Sequence, residues 1–455
     1  MRLPVVKNES IECDIDGYTA EGAGVAHYQG LAVFVPGALK DERVRVKVIK
    51  TTTRYAVGRL ERVLSASEHR VQPPCDVYAQ CGGCALQHMD AQEQNLLKRQ
   101  HIADCLQRIG GLADIPLPPV QAMEHPFRYR NKAAFPIAQI QQGNPSVGLF
   151  AARSHRLIPV TDCLLQHKEQ ARLGEAVQKW MRDYRIPAYD ERTHRGCVRH
   201  LVTRHNHRGQ WLVCIVCKTA LPHAQELVDT LLATGCDVAG VVENRNEKRT
   251  NVILGRQERV LYGTDTLTQR IGGLDFEVSI QSFLQVNPTQ TEALYNKALQ
   301  MAQLNGRETV VDAYCGVGTM SLLFAQHAEH VYGVECVAPA VENAKRNAVI
   351  NGIDNVSFQC ALAEEVLPKW TRVHKPIDVL LLDPPRKGCD RMLLEAAIEA
   401  HIPRIVYVSC NPATMARDIA LLVQGAYGVK QIEGVDMFPQ TAHVETVALL
   451  ERNGI

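Results

Sequence analysis

The chain has 455 residues, of which 46% are hydrophobic and 22% are charged, and its formal net charge is +1. This length allows several domains with cores of their own, and no apolar run reaches the ~18 residues that a membrane-spanning helix needs. Since MRLPVVKNESIECD also lacks the apolar centre of a signal peptide, we expect a cytoplasmic protein with no membrane partner.

Short alternating segments fill residues 1–62, among them ESIECDIDGYT, AVFVPGAL and DERVRVKVIKTT. Turn signals such as Asp16-Gly17 and Pro36-Gly37 separate them, which is the pattern of a small β-barrel. The barrel is either a general packing module or an RNA-binding module. The second interpretation is favoured by basic residues near the later strands, namely Lys47, Lys50, Arg54 and Arg59.

The segment CDVYAQCGGCALQH places Cys75, Cys81 and Cys84 within ten residues. In a reducing compartment we expect the 15 cysteines to be core residues, metal ligands or catalysts rather than disulfides. Three thiols this close are too dense for ordinary core, and the two intervening glycines let the backbone fold tightly around a bound centre. Cys163, in VTDCLLQH, is the best candidate for a fourth ligand. Four thiolates suit either zinc or an iron–sulfur cluster, and the spacing separates the two poorly.

Residues from about 126 to 270 combine strand-like pieces, such as HLVTRHN and WLVCIVC, with helical ones, which predicts an α+β fold. Between residues 125 and 210 there are 15 Lys or Arg against 6 Asp or Glu. The run FRYRNKAAF interleaves Arg128, Arg130 and Lys132 with aromatic side chains, which suits a phosphate backbone and splayed bases. The alternative is a solvated edge strand without a ligand.

Strands and helices alternate from about residue 271 onward, which predicts a doubly wound sheet. In DAYCGVGT, Gly316 and Gly318 permit a ligand to approach the backbone closely. Glu335 ends the next strand, where an acidic side chain can accept both ribose hydroxyls of a nucleoside cofactor. The missing third glycine favours S-adenosylmethionine over a dinucleotide. Taken alone, Glu335 could also be a solvent-exposed residue at the end of a strand without a ligand.

Cys410 follows a strand over Arg404–Ser409 and precedes a helix over Ala413–Val423. The carboxyl ends of such strands carry ligands, so its thiol is a candidate nucleophile. We expect the start of the helix to lower the thiol pKa. Cys389 is the next candidate, and Cys315 is a poorer one because it lies inside the glycine turn.

Two carboxyl groups are predicted at the same edge. Asp383, in LLLDPPRKG, ends another strand, and two prolines stiffen the loop that follows it. Glu445, in FPQTAHVET, starts the last strand and is a candidate general base. Taken alone, Glu445 would more often be a capping or surface charge.

These motifs together resemble the RNA (uracil-5-)-methyltransferase family, in particular its iron–sulfur branch, which methylates 23S ribosomal RNA. The resemblance covers nearly the whole chain and is carried by CDVYAQCGGCALQH, QSFLQVNP, DAYCGVGTMSL, LLLDPPRKG, VSCNPATMARD and FPQTAHVE. It implies a TRAM-like β-barrel over residues 1–62, an α+β central iron–sulfur and RNA-binding domain over 63–270, and a Rossmann-like class I methyltransferase domain over 271–455. The segment of about 90–118 is expected to pack with the catalytic domain.

The resemblance also implies roles for individual residues. Cys410 is the nucleophile that adds to C6 of a uracil, and Glu445 is the base. The site of the methyl donor S-adenosylmethionine is formed by Gln285, Tyr314, Gly316, Glu335 and Asp383. An iron–sulfur cluster, expected to be 4Fe–4S, is held by Cys75, Cys81, Cys84 and Cys163. The expected product is 5-methyluridine in ribosomal RNA, made by a monomer.

Three alternatives stay open. The first is a transfer RNA uracil-5-methyltransferase. The second is an RNA cytosine-5-methyltransferase, which typically has Pro-Cys where this chain has Ser409-Cys410. The third is a non-catalytic RNA-binding iron–sulfur protein, which leaves Asp383, Cys410 and Glu445 at separate strand ends unexplained.

Overall fold

The computed structural model describes residues 4–140, 143–160 and 162–454, so the predicted domain limits at residues 1 and 455 lie outside it. Three larger sheets follow one another along this part of the chain. No helix within the described ranges combines the length and the apolar character needed to cross a membrane.

The N-terminal sheet is built from short strands, which are β1 (Ser10–Asp14), β2 (Gly17–Tyr18), β3 (Gly24–Tyr28), β4 (Leu31–Val35), β5 (Arg43–Thr51) and β6 (Tyr55–Ser65). Their order is β1-β5-β6-β4-β3-β2. Alternate residues are buried, as the two-residue period of a half-buried strand requires, and they fill one core around Val33, Val44 and Val46. The sheet wraps a core as a small barrel does, although its described ladder stays open between β1 and β2.

The helix after the cysteine motif, α1 (Ala91–Arg108), comes from the N-terminal half of the chain and packs against the C-terminal sheet. Asp90 caps it by accepting a hydrogen bond from the Glu93 amide at 2.8 Å, which satisfies a first-turn N–H. Its buried Ile102 and Leu106 belong to a core that also contains residues of the C-terminal sheet. The helix therefore packs with the C-terminal part of the protein.

The central sheet contains β7 (Lys132–Gln139), β8 (Pro145–Phe150), β9 (Leu157–Pro159), β10 (Val198–His205), β11 (Gln210–Cys217), β12 (Asp237–Arg245) and β13 (Gln257–Gly263). Its order is β13-β12-β11-β10-β7-β8-β9. Two helices, α2 (Gln170–Asp183) and α3 (Ala224–Leu232), cover one face through Trp180 and Leu227. A hairpin of β14 (Thr266–Ile271) and β15 (Leu274–Ser279) leads to the third sheet.

The C-terminal sheet contains β16 (Thr309–Asp312), β17 (His330–Glu335), β18 (Val356–Cys360), β19 (Val379–Leu382), β20 (Arg404–Ser409), β21 (Tyr427–Val435) and β22 (Glu445–Arg452). Its helices are α4 (Pro288–Ala302), α5 (Thr319–Ala325), α6 (Ala338–Ile350), α7 (Ala363–Arg372), α8 (Arg391–Glu399) and α9 (Pro412–Gln424). The strand order is β18-β17-β16-β19-β20-β22-β21.

Helices cover both faces of this sheet, so a central strand such as β19 is buried along its whole length. The strands β16 to β20 are parallel, whereas β22 runs antiparallel to β20 and β21. Because β22 runs the other way, its first residue lies at the edge where the parallel strands end.

Candidate active site

The polar side chains that were predicted at separate strand ends lie along one edge of the C-terminal sheet. Asp312 and Glu335 end their strands, Asp383 and Cys410 follow theirs directly, and Glu445 begins β22. In the ladder between β20 and β22, Ser409 is paired with Thr446. The candidate nucleophile and the candidate base therefore lie on neighbouring strands.

Cys410 lies in a two-residue connection between β20 and α9, and its thiol is half-buried. The next residue, Asn411, caps the helix by accepting a hydrogen bond from the Ala413 amide at 3.1 Å. The Asn411 side chain also donates to the carbonyl oxygen of Arg386 at 3.0 Å. The loop that carries the thiol is thus tied to the loop after Asp383.

Burial raises the pKa of the Cys410 thiol, and the carboxyl groups of Glu445 and Asp383 raise it further. Arg386 acts in the opposite direction. The net pKa is raised, against the expectation that the helix start would lower it, although the backbone amide of Cys410 acts in the lowering direction.

Glu445 is only 1% exposed, and within the described residues its Oε2 has no hydrogen-bond partner. Burial raises its pKa to about 8, Asp383 adds to the shift, and Arg386 opposes it. Burial and the neighbouring Asp312 raise the pKa of Asp383 to about 7. Burial of a hydrogen-bond acceptor without a partner costs free energy of folding. The Glu445 carboxyl group is therefore placed for a partner outside the chain.

The glycine turn forms an open cradle at the same edge. The Glu335 carboxylate accepts hydrogen bonds from the Gly316 amide at 3.2 Å and from the Val337 amide at 2.8 Å. Gly316 has a φ of +54°, and a Cβ atom built on it would meet no atom within 4 Å. The space above the turn and the oriented carboxylate fit an adenosyl group. Tyr314 lies in this turn, and Gln285 lies in the loop between β15 and α4.

The two other cysteines considered as nucleophiles are core residues. Cys389 is 7% exposed, its Sγ lies 3.6 Å from the Tyr407 hydroxyl, and its amide donates to Asp418. Cys315 is also buried, and burial raises its thiol pKa well above the ordinary value. Of the three thiols, Cys410 is the accessible one.

The sequence did not single out two residues of this site. Arg386 follows the double proline after Asp383 and acts on the pKa of both Cys410 and Glu445. Its place in the motif LLLDPPRKG, directly after the two prolines, was the signal in the sequence that could have identified it. Tyr295, on α4, has a pKa raised by burial and then by Asp383 and Glu445. A single tyrosine on the apolar face of a helix cannot be told from core by pattern.

A second site is formed by the cysteine loop, which we define as residues 75–88. Cys75, Cys81, Cys84 and Cys163 line one cavity of about 330 Å³. The Gly82 amide donates to the Phe150 carbonyl oxygen at 2.9 Å, and a Cβ atom on Gly82 would lie 2.9 Å from the Ala152 nitrogen, so glycine is needed. Over residues 4–140, 143–160 and 162–454, no three His, Cys, Asp or Glu side chains converge as ligands of a single metal ion.

The three basic residues predicted to bind RNA have partners inside the protein. Arg128 forms a bidentate pair with Asp162 at 2.5 and 2.6 Å. Lys132 donates to the Ile280 carbonyl oxygen at 2.5 Å, and burial lowers its pKa to about 8. Arg130 lies over the Phe438 ring, 5.8 Å from its centroid. Their RNA-binding role stays a prediction.

Comparisons with known proteins agree with this geometry. The family described as tRNA (Uracil-5-)-methyltransferase matches residues 223–453, and the TRAM domain matches residues 5–60. An uncharacterized RNA methyltransferase of Halalkalibacterium halodurans is 45% identical over 452 residues, which is 99% of this chain and 98% of the relative. Another, from Clostridium tetani, is 42% identical over 454 residues, with 99% and 98% covered.

A solved structure extends the likeness to three dimensions. The Pyrococcus abyssi tRNA (uracil-54, C5)-methyltransferase in complex with S-adenosyl-L-homocysteine is 26% identical, with a TM-score of 0.78 over 96% of this chain and 99% of that chain. The predicted TRAM-like N-terminal part and class I methyltransferase C-terminal part are confirmed. The chain belongs to the RNA (uracil-5-)-methyltransferase family and is an S-adenosylmethionine-dependent RNA methyltransferase.

Proposed function

We propose that the protein methylates C5 of a uridine in 23S ribosomal RNA through a covalent bond between Cys410 and C6 of the uracil. The choice of ribosomal RNA rests on the resemblance of the cysteine motif to the iron–sulfur branch of the family, and one observation carries the reaction. A half-buried thiol and a buried carboxyl group with an unpartnered oxygen lie on adjacent strands, at the edge that also holds the glycine turn. A thiol and a base side by side are what substitution at an unreactive ring carbon needs.

Cys410, the methyl donor and Glu445 each take part in one step of the reaction. Addition of the Cys410 thiolate to C6 forms a carbon–sulfur bond and turns C5 into an enolate carbon. S-adenosylmethionine supplies the methyl group and a positive sulfonium charge. The enolate carbon attacks that methyl group, which leaves S-adenosylhomocysteine. Glu445 then takes the proton from C5, and the electron pair released breaks the carbon–sulfur bond and restores the thiolate.

The charges at the edge match this sequence of steps. Burial raises the pKa values of the Cys410 thiol and of Glu445, the neighbouring carboxyl groups raise them further, and Arg386 opposes both shifts. A positive sulfonium at the same edge lowers both pKa values, because it favours the anions. The thiolate and the carboxylate therefore form when the methyl donor is bound.

The cysteine cavity is proposed to hold an iron–sulfur cluster. A single zinc ion requires four sulfur atoms at about 2.3 Å from one point. Within the described residues no three thiols converge in this way, so the support for a cluster is that all four cysteines line one cavity of about 330 Å³. The methyl transfer has no redox step, and the cluster would act by joining residues 75–84 to Cys163.

Transfer RNA is the second candidate substrate, because the structural relative from Pyrococcus abyssi is named for a transfer RNA uracil. The test supplies labelled S-adenosylmethionine with 23S ribosomal RNA transcripts or with transfer RNA, and identifies the nucleoside by mass spectrometry. We expect 5-methyluridine in the ribosomal transcript. Label in transfer RNA alone would select the second candidate, and 5-methylcytidine would overturn the reaction. Cys410→Ala should abolish transfer and Cys389→Ala should retain it.

A further inference from the structure

The segment that precedes the base is held by a residue in an unusual backbone conformation. We call residues 436–444 the base loop, since Glu445 follows it directly. Gln440, in this loop, has a φ of +70° and is 5% exposed. The left-handed region costs a residue with a side chain about 1–2 kcal/mol, so such a conformation persists only where surrounding contacts fix it.

The contacts that fix Gln440 come from the cysteine loop and from α1. The amides of Ala85 and Leu86 both donate to the Gln440 carbonyl oxygen, at 2.9 and 3.1 Å. The Gln440 amide donates to Gln94 Oε1 at 3.1 Å, and Gln94 Nε2 lies 3.2 Å from Gln440 Oε1. Both backbone polar groups of Gln440 and its side chain are therefore bonded to residues 85–94.

Other residues from the first third of the chain hold the base loop on either side of Gln440. The Tyr129 hydroxyl donates to the Pro439 carbonyl oxygen at 3.0 Å. Lys98 forms an ion pair with Asp436 at 2.5 Å, and both side chains are buried. Asp436, Pro439 and Gln440 are thus bonded to residues between 85 and 129. The start of α4 holds the same loop, since Asn287 and Gln290 donate to the carbonyl oxygens of residues 437 and 436.

The loop that carries the nucleophile has different neighbours. In the described structure, the hydrogen bonds of the segment from Ser409 to Thr414 lead to one another, to Arg386 and to Thr446. None of these bonds leads to residues 75–94. The hydrogen bonds of the cysteine loop and of Gln94 therefore lead toward Glu445 through the base loop, and none of them leads to the segment that carries Cys410.

We propose that Gln440, held by Gln94 and the cysteine loop, is the positioning residue for the catalytic base. The inference rests on the proposed function, in which Glu445 removes the C5 proton. Only four residues separate Gln440 from Glu445. The first of them, Thr441, closes a tight turn around Gln440, in which its hydroxyl donates to the Phe438 carbonyl oxygen at 2.8 Å, and the same hydroxyl accepts from the His443 amide at 3.3 Å. Rotation at Gln440 would therefore displace the Glu445 carboxyl group.

The test uses the full-length enzyme with its RNA substrate and S-adenosylmethionine. Gln94→Met keeps the volume of the side chain and removes its hydrogen bonds. We expect turnover to fall about 10- to 100-fold, as a misplacement of about 1 Å costs. The covalent enzyme–RNA complex, seen on a denaturing gel, should accumulate at the same time, because the thiol still adds and the C5 proton leaves slowly. The KM for RNA should stay unchanged.

Gln440→Gly provides a second variant that glycine's backbone freedom keeps foldable. It retains the carbonyl and amide bonds and loses the side-chain bond, so it should show the same accumulation to a smaller degree. Tyr427→Phe is the matched control, because it removes a buried hydroxyl bond of 2.7 Å to Ile402 in the same sheet, at the end of β21 away from Glu445. It should leave turnover and the amount of adduct unchanged.

The outcomes separate this proposal from the proposed function. If Glu445→Gln accumulates the adduct while Gln94→Met and Gln440→Gly turn over like the unmodified enzyme, the positioning role is wrong. A fall in turnover without accumulation of adduct would also overturn it, since the effect would then be general. If neither Glu445→Gln nor the Gln94 variant ever forms an adduct, the covalent reaction itself is wrong.

Discussion

The Thr446 hydroxyl donates to the carbonyl oxygen of Ser409 at 3.1 Å, and these two residues adjoin Glu445 and Cys410. Neighbouring strands lie about 4.8 Å apart, so this ladder sets the separation of the two backbones, while the base loop leads into the first residue of β22, Glu445. The two groups must act on adjacent atoms of one uracil ring. A rigid ladder suits that task better than two independent loops.

Replacement of Glu445 by glutamine should trap the reaction after methyl transfer. Glutamine keeps the shape of the side chain and cannot take the C5 proton, so we expect turnover to fall about 10²–10⁴-fold. The methylated RNA should stay bound to Cys410 and migrate with the protein under denaturing conditions. The double variant Cys410→Ala/Glu445→Gln is the control and should show no such band. A trapped complex in that control would mean that another residue is the nucleophile.

The same substitution should raise stability at high pH. Burial raises the pKa of Glu445 to about 8, so the folded protein keeps a proton that the unfolded chain loses above its ordinary pKa. Folding stability therefore falls as the pH rises from about 4.5 to about 8. Glu445→Gln removes this loss, and its stability relative to the unmodified protein should rise by roughly 2–4 kcal/mol between pH 5 and pH 9 in urea unfolding.

A matched carboxyl outside the site provides the comparison for this pH effect. Glu399 is exposed at the end of α8, and its side chain accepts no hydrogen bond within the described residues. Glu399→Gln should change stability equally little at both pH values. Equal pH dependence for the two variants would contradict the burial of an uncharged Glu445.

Loss of the buried ion pair between α1 and the base loop should be costly. Lys98→Met leaves the Asp436 carboxylate buried without its partner, and we expect a loss of about 3–5 kcal/mol at pH 8. Burial raises the pKa of Asp436, so it protonates more readily and the loss should be smaller at pH 5. The double variant Lys98→Met/Asp436→Leu should recover most of the stability in urea unfolding. If the double loss equals the sum of the single losses, the two side chains do not interact.

Substitution of a cavity-lining cysteine should remove the proposed cluster. Cys84→Ser and Cys163→Ser, purified without oxygen, should lose bound iron, acid-labile sulfide and visible absorbance together. Cys336→Ser is the control, because Cys336 is exposed and is not among the residues that line the cavity. Stoichiometric zinc with no iron in the unmodified protein would show that the centre is a zinc site.

The local elements were largely predictable from the sequence. The strand predicted over Arg404–Ser409 is β20, and the helix predicted over Ala413–Val423 is α9 with one more residue at each end. The spacing of the hydrophobic residues and the prolines and glycines at the ends suffice to predict such elements, because the physical causes lie within a few residues. The common edge of Asp383, Cys410 and Glu445 followed from the parallel order of the strands.

The sequence could not predict which distant side chains meet. Neither the pairing of Lys98 with Asp436 nor that of Gln94 with Gln440 has a local signal, since each joins segments more than 300 residues apart. Arg128 looked like a ligand for RNA, yet its guanidinium group is paired with Asp162. The pKa of Cys410 also depended on groups from other strands, so the helix next to it was a poor guide.

The long separation between Gln94 and Gln440 has a consequence for synthesis of the chain. Ribosomes add about 5–20 residues per second, so roughly 17–70 s pass between the two residues. During this time α1 has no base loop to hold, and the buried amide of Gln94 and the ammonium group of Lys98 lack the partners that the folded protein gives them. Glu445 can join the site only after Cys410 has been made, and a chain that stops short of residue 436 carries a nucleophile without its base.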